Sequence, residues 1–505
     1  MNLVTLLEMV CSASGERVAV GRREDGLSAN AVRDRALRGA MLVRDRAADA
    51  LIYIAINGPA FPVALFAAGY AQVPLVPLNY RIGREQLSNL IARHPNALVI
   101  ADAAEPDSLP GKARWMTTKR WLEETAAPAT DPGIGAQFEA SSNPESLAAV
   151  IYTSGTTSSP KGVLLRGRNL VSYVINTTDF LNAEVDDASL VCVPPYHIAG
   201  LMSVLTNVYA GRRILMLEQF TPEAWFDLVR SEGVSNAFVV PTMLQRLVSG
   251  DGDKSVPSLK SLAYGGSPMK RSTIEKALRL WPEVDFVNAY GLTETSSTVA
   301  ILGPDDHRAA LHSENEVVRA RLGSVGRVLP GIELQIRDDD GAALEPGNVG
   351  RIFLRAEQIS AGYAETGWAG DDRGFFDTRD NGYVDADGFL FICGRSDDTI
   401  IRGGENIAPA EIEEVVCRHP AVTDAAVVGV PDEEWGERIV AVVVLASGVE
   451  VSEGELREFA RASLRSSKTP ERFFYWPELP RTETGKLIRR EVARKLGSRT
   501  SAPSP

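Results

Sequence analysis

Leu147-Ala-Ala-Val-Ile-Tyr152 runs directly into Thr153-Ser-Gly-Thr-Thr-Ser-Ser-Pro-Lys-Gly162. The first six residues are a short apolar run that predicts a buried strand. The next ten are small and hydroxylated, with one lysine. A strand feeding such a loop is what a polyphosphate needs. Gly155 lets backbone approach the anion closely. Exposed N–H groups and the hydroxyls of Thr153, Ser154, Thr156 and Thr157 can donate to phosphate oxygens, and Lys161 adds a mobile positive charge. The pattern differs from the mononucleotide loop that ends Gly-Lys-Ser/Thr, because Lys161 follows Pro160 and precedes Gly162. Beyond the loop come Val163-Leu-Leu165 and a helical pattern near Asn169 to Leu181.

At 505 residues the chain is long enough for at least two domains, since single cores seldom grow past ~250–300 residues. It is 44% apolar and 24% charged, the composition of a soluble globular protein. A net charge of −13 argues against a nucleic-acid or anionic-membrane partner. Cys11, Cys192, Cys393 and Cys417 form no paired motif, which predicts a reduced, cytoplasmic protein without structural zinc. The start reads as an amphipathic helix with an acid at Glu8, not as a signal peptide. No apolar run approaches the ~20 residues of a membrane span.

Upstream of the loop, Ala48–Ile56 reads as a strand, Phe61–Ala71 as a helix, and Val73–Arg81 as a proline-rich crossover before a helix over Arg84–His94. This alternation predicts a parallel α/β layer. Residues 103–145 read as a surface connection with a short helix near Trp121. Downstream, Val191-Cys-Val-Pro-Pro-Tyr-His197 is a strand broken by prolines, with His197 heading a helix. Leu262-Ala-Tyr-Gly-Gly-Ser267 is a strand ending in two glycines, where a flat ring can lie against backbone. Residues 320–392 hold short β-like runs separated by Gly, Asp and Pro, which predicts a small antiparallel barrel or sheet. A smaller α/β unit of about 100 residues then closes the chain.

The loop closely resembles the phosphate loop of the acyl-adenylate-forming ligases, which include acyl- and aryl-CoA synthetases, peptide-synthetase adenylation domains and luciferases. The resemblance runs from about Phe66 to Arg490. Two more strong motifs support it, Asn288-Ala-Tyr-Gly-Leu-Thr-Glu-Thr295 and Pro480-Arg-Thr-Glu-Thr-Gly-Lys-Leu-Ile-Arg489. It implies a large N-terminal domain of mixed and parallel α/β layers plus a small β-barrel, over 1–395. A small mobile α/β lid would follow over 396–505.

The resemblance also implies roles. Tyr290 packs the adenine, with Gly265, Gly266 and Ser267 as its platform. Thr293 contacts the α-phosphate and Glu294 holds Mg²⁺. Asp380 and Arg395 take the ribose, the carboxylate matching a vicinal diol. Asp397 is the hinge. Lys486 bridges the substrate carboxylate and the α-phosphate. His197 lies between the acyl pocket and the thiol's path. Gly403 and Gly404 line the pantetheine tunnel, Trp435 stacks on the CoA adenine, and Arg81, in Pro77-Leu-Asn-Tyr-Arg81, is assigned to CoA.

The implied reaction joins a carboxylic acid to CoA through an acyl-adenylate, with ATP, Mg²⁺ and CoA as substrates and activator. Pocket-wall positions Ile198–Leu201, Phe238–Val240 and Ser296–Ala300 are small or apolar, which favours a hydrophobic mono-acid: aryl, medium-chain or polycyclic. A homodimer is the one protein assembly carried with this reading. Two departures stand out. Ser158 and Arg379 occupy positions where the family usually has glycine. They motivate an alternative in which adenylation is impaired and a preformed acyl-adenylate is thioesterified. A non-catalytic ligand-binding relative is the third reading. Measured against the family, the segment before Ala48 reads as short and eroded.

Overall fold

A computed structural model describes residues 1–103, 113–126, 143–153, 160–360, 362–402, 405–432, 434–482 and 485–500. Two large sheets dominate it. One has eight strands, with the parallel core Leu75–Pro77, Leu51–Ile54, Leu98–Ala101 and Arg114–Thr117. The other has nine, with Asn236–Val239, Ala188–Val191 and Arg213–Met216 parallel at its centre. Leu51–Ile54 and Leu98–Ala101 are buried at every position, as expected for parallel strands covered on both faces. Asn57, 5% exposed, ties the two sheets together. Its side-chain amide donates to the carbonyls of Val193 and Leu217, both at 3.1 Å.

Strand Leu147–Thr153 pairs antiparallel with Lys161–Arg166, the two strands that flank the hydroxyl-rich stretch. A four-stranded antiparallel sheet follows, in the order Glu333–Arg337, Gly350–Arg355, Phe376–Val384, Leu390–Arg395. This is the small β unit the Gly/Asp spacing predicts. A separate five-stranded sheet lies within residues 400–475, its strands Val422–Asp432 and Gly436–Leu445 longer than the apolar runs suggest. No helix among the described residues is long and apolar enough to cross a membrane.

Two expectations are corrected. The segment before Ala48 is not eroded. It folds as helices Leu3–Ser14 and Ala29–Asp45 with strands Val18–Val20 and Leu27–Ser28. Helix Leu3–Ser14 opens on a capping box at Asn2 and buries Leu3, Leu6, Leu7 and Val10. Nor is 103–145 only a surface connection, although the short helix expected near Trp121 is present. Arg114–Thr117 is an edge strand, and helix Thr118–Thr125 buries Trp121 completely. Burial of one large aromatic ring outweighs the polar composition around it.

Candidate active site

Three strand ends and one lid turn bring the expected residues together. Asp380 and Arg395 face each other on neighbouring antiparallel strands. The Asp380 carboxylate, almost wholly buried, accepts from the Tyr290 hydroxyl at 2.6 Å and from Arg395 Nε at 3.0 Å. Burial raises the Tyr290 phenol far above its ordinary range, and Asp380 raises it further. Tyr290 is therefore a neutral donor, anchored by its hydroxyl. Strand Ser261–Gly265 runs parallel to Asp285–Leu292, with Gly265 opposite Ala289. A Cβ on Gly265 would lie 2.2 Å from the Ala289 carbonyl oxygen, so only glycine allows this approach. Ser267 follows two residues later, half-buried.

Thr293 and Glu294 occupy the turn between strands Asp285–Leu292 and Ser297–Leu302. Ser296 and Ser297 have φ of 54° and 108°, strained for side-chain-bearing residues. The turn is held by its surroundings. Ser296 Oγ donates to the Gln358 carbonyl at 2.7 Å, and Gln358 Nε2 donates to the carbonyls of Thr295 and Thr298 at 3.0 and 2.9 Å. Glu294 Oε1 accepts from the Tyr363 hydroxyl at 2.7 Å, and Lys161 Nζ lies 5.6 Å from the Tyr363 ring centroid. Tyr363 thus links the Glu294 carboxylate to the loop's lysine. Among the described residues, no group of three or more His, Cys, Asp or Glu could hold a metal ion. One carboxylate fits Mg²⁺, which keeps several waters and takes its other ligands from substrate phosphates.

Lys486 comes from the far end of the chain. The walls of the cleft lower its pKa by desolvation, and Arg395 lowers it further, while Asp380, Asp398 and Glu294 oppose the shift. The residue nonetheless keeps contact with solvent. The preceding Gly485 has φ of 78°, and a Cβ there would lie 2.5 Å from Thr242 Cγ2, on helix Pro241–Ser249. The lid turn therefore sits on this helix. Lys270 pairs with Asp424 at 3.0 Å beside it.

Arg379 pairs with Asp397, while Asp380 is taken by Arg395. The Arg379 guanidinium lies 3.6 Å from Asp397 with the side chain 55% exposed, and the residue's carbonyl accepts from Ser396 Oγ at 3.0 Å. Its φ is 59°, the left-handed region that explains a glycine preference at this position. His197 is the N-cap residue of helix Ile198–Tyr209, and burial pushes its pKa down to about 4. A row of ring contacts joins it to Arg81: His197–Tyr196 at 4.9 Å, Tyr196–Tyr80 at 5.5 Å, and Arg81 at 5.3 Å from the Tyr80 ring. Trp435 is 44% exposed, with the Arg402 guanidinium 5.4 Å from its ring.

Thr153 ends its strand opposite Lys161. Ser154, Gly155, Thr156, Thr157, Gly403 and Gly404 lie outside the described residues. Five expected wall positions are buried in apolar cores: Leu201 and Val240 in one, Val239 in a second, and Val299 and Ala300 in the core of the small sheet with Ile332, Ile352 and Leu354. Tyr363, Glu365 and Arg93 were missed. Gly362-Tyr-Ala-Glu365 carries no chemical spacing, and only the pairing of its short strand with Lys161–Arg166 brings it to the loop.

The AMP-binding enzyme family profile matches residues 7–364, and the AMP-binding enzyme C-terminal domain profile matches 411–486. A fatty acid–[acyl-carrier-protein] ligase, ScoC of Streptomyces coeruleorubidus, is 32% identical over 470 residues, covering 88% of this chain and 86% of the relative. A 2-succinylbenzoate–CoA ligase of Bacillus cereus is 32% identical over 440 residues, covering 86% of each. The o-succinylbenzoate CoA synthetase of Bacillus subtilis, solved with its acyl-adenylate intermediate, superimposes with a TM-score of 0.82 at 25% identity, covering 96% of this chain and 97% of that one. ATP-bound MatB of Rhodopseudomonas palustris shares the fold, with a TM-score of 0.85 at 24% identity and coverage of 98% and 99%. The chain belongs to the AMP-binding enzyme family, in both its main and its C-terminal domain.

Proposed function

We propose that the protein is an acid–CoA ligase that activates a hydrophobic mono-carboxylic acid. The acid's carboxylate attacks the α-phosphorus of ATP and pyrophosphate leaves. The CoA thiol then attacks the acyl carbon of the acyl-adenylate and AMP leaves. The observation that supports this reading is Lys486, from the C-terminal unit, within electrostatic reach of Asp380, Arg395 and Glu294. No covalent nucleophile is required. Catalysis is positioning and charge stabilisation.

In this reading Asp380 and Arg395 hold the ribose, Tyr290 with Gly265, Gly266 and Ser267 frames the adenine, and Thr293 and Lys486 meet the α-phosphate. Thr153 to Thr157 and Lys161 take the outer phosphates. Glu294 would hold Mg²⁺, which when bound offsets repulsion between the attacking carboxylate and the phosphates. The domain boundary falls between Arg395 and Ser396, with Asp397 as hinge. Gly403, Gly404, Trp435 and Arg81 serve CoA, and His197, neutral at working pH, borders the acid.

Two observations favour this over the adenylation-impaired alternative. Asp380 is engaged by Tyr290 and Arg395, and Arg379 pairs with Asp397. The relatives are named for different acids and acceptors, so both are open to experiment. The test is acid-dependent ATP–pyrophosphate exchange across aryl, medium-chain and polycyclic acids, followed by thioester formation with CoA or a holo carrier protein. Exchange with a hydrophobic acid and thioester on CoA are expected. Absence of exchange, with turnover of supplied acyl-adenylate, would overturn the two-step reading. Thioester only on the carrier protein would overturn the choice of CoA.

A further inference from the structure

The hairpin Gly362–Trp368 is the outermost element of the eight-stranded sheet, and it touches two motifs far away in sequence. Its strand Gly362–Tyr363 pairs with Lys161–Arg166. Gly162, directly after the loop lysine, has both backbone groups held by this hairpin. Its carbonyl accepts from Ala364 N at 2.8 Å, and its N–H donates to the Glu365 carboxylate at 3.0 Å. Glu365 also pairs with Arg93, which donates to the Pro160 carbonyl at 3.2 Å on the other side of Lys161. The residues flanking Lys161 are thus fixed by one carboxylate–guanidinium pair. Two residues before Glu365, Tyr363 turns its hydroxyl to Glu294 at 2.7 Å and its ring to Lys161.

We propose that Tyr363 and Glu365 are positioning residues for nucleotide binding, Tyr363 orienting Glu294 toward the divalent cation and Glu365 fixing the Lys161 end of the phosphate loop. This rests on the ligase reading above. The hydroxyl bond to one oxygen of Glu294 restrains rotation of the carboxylate and leaves its second oxygen for a cation. Hydrogen-bond partners of metal ligands govern affinity in this way. The two residues act on different parts of bound ATP, so their effects separate experimentally.

The test measures binding rather than turnover, in two conditions, with α,β-methylene-ATP as nucleotide. Bound Mn²⁺ is titrated by electron paramagnetic resonance in the presence of the nucleotide. Nucleotide affinity is measured separately by calorimetry in chelator. Tyr363→Phe keeps the ring beside Lys161 and removes only the hydroxyl. It is expected to weaken Mn²⁺ binding by ~10-fold, the low end for such partners, and to leave affinity in chelator near wild type. Glu365→Ala is expected to weaken the nucleotide by a similar factor with and without metal. Thermal midpoints of both variants report whether the fold is kept. Wild type that binds the nucleotide, beside a Tyr363→Phe variant equal to it in Mn²⁺ binding or equally weakened in chelator, overturns the orienting role. Glu365→Ala at wild-type affinity overturns the loop-fixing role. Wild type that binds no nucleotide removes the ligase reading itself.

Discussion

Gly485 offers the most direct test of why Lys486 reaches the cleft. In Gly485→Ala the new methyl would lie 2.5 Å from Thr242 Cγ2 and 2.8 Å from Thr242 Oγ1. Either the threonine leaves its rotamer or the lid turn lifts, at about 1–2 kcal/mol. The left-handed φ of 78° adds about 1 kcal/mol for alanine. That second cost belongs to the turn in any lid orientation, whereas the clash exists only where the turn meets helix Pro241–Ser249. The orientation-specific part is thus about 1–2 kcal/mol, or about 5- to 30-fold at 1.36 kcal/mol per decade. It should fall on pyrophosphate exchange and spare CoA-dependent consumption of purified acyl-adenylate. Thr242→Ala removes the two clashing atoms, so adding it should restore most of the lost exchange. Equal loss in both half-reactions, or no restoration by Thr242→Ala, would refute the docking argument.

Lys486→Ala is expected to lower acyl-adenylate formation by ~10²-fold or more, while thioester formation from supplied acyl-adenylate persists; a rapid-quench assay of each step checks this. Arg379→Gly exchanges an exposed ion pair, worth at most about 1 kcal/mol, for relief of left-handed strain of similar size. Exchange should therefore change by less than about 3-fold, and a gain of tenfold in a pyrophosphate-exchange assay would show that Arg379 obstructs ATP after all. His307, fully buried, donates from Nδ1 to the Gly303 carbonyl and accepts at Nε2 from Tyr264, and burial pushes its pKa from 6.5 down to about 4. As pH falls through this window the unfolded chain gains a proton that the folded chain refuses. Stability should drop by up to about 3 kcal/mol between pH 6.5 and 4. Denaturant titrations of His307→Gln should show a shallower decline.

Strands with uninterrupted apolar runs were legible because parallel strands buried on both faces need them. Leu51–Ile54, inside the run read as a strand over Ala48–Ile56, is the clearest case, whereas the equally buried Leu98–Ala101 went unread. Glycines with a steric reason were also legible, Gly265 above all. What escaped was anything fixed by distant partners. Trp121 is buried by packing rather than periodicity. Val299 and Ala300 were read as pocket wall, but their neighbours come from the later sheet. Arg379 was rightly marked as sitting where glycine is preferred. Its direction, though, depends on Asp397 across the strand end. Tyr363 and Glu365 had no local signal, because their partners lie 69 and 203 residues away.

Asn57 has a consequence for how the molecule comes apart. Its amide spans the two large sheets through a buried position, and parting the sheets strands both of its polar hydrogens. Neither sheet can therefore loosen alone at low cost, and the two should melt as one cooperative block. The five-stranded sheet has its own apolar clusters, and its described ties to the rest include the partly exposed pair Lys270–Asp424. In native-state hydrogen exchange the lid should open far more often than the body, on a free-energy scale of its own. The separate core that makes this unit a domain also lets it fray.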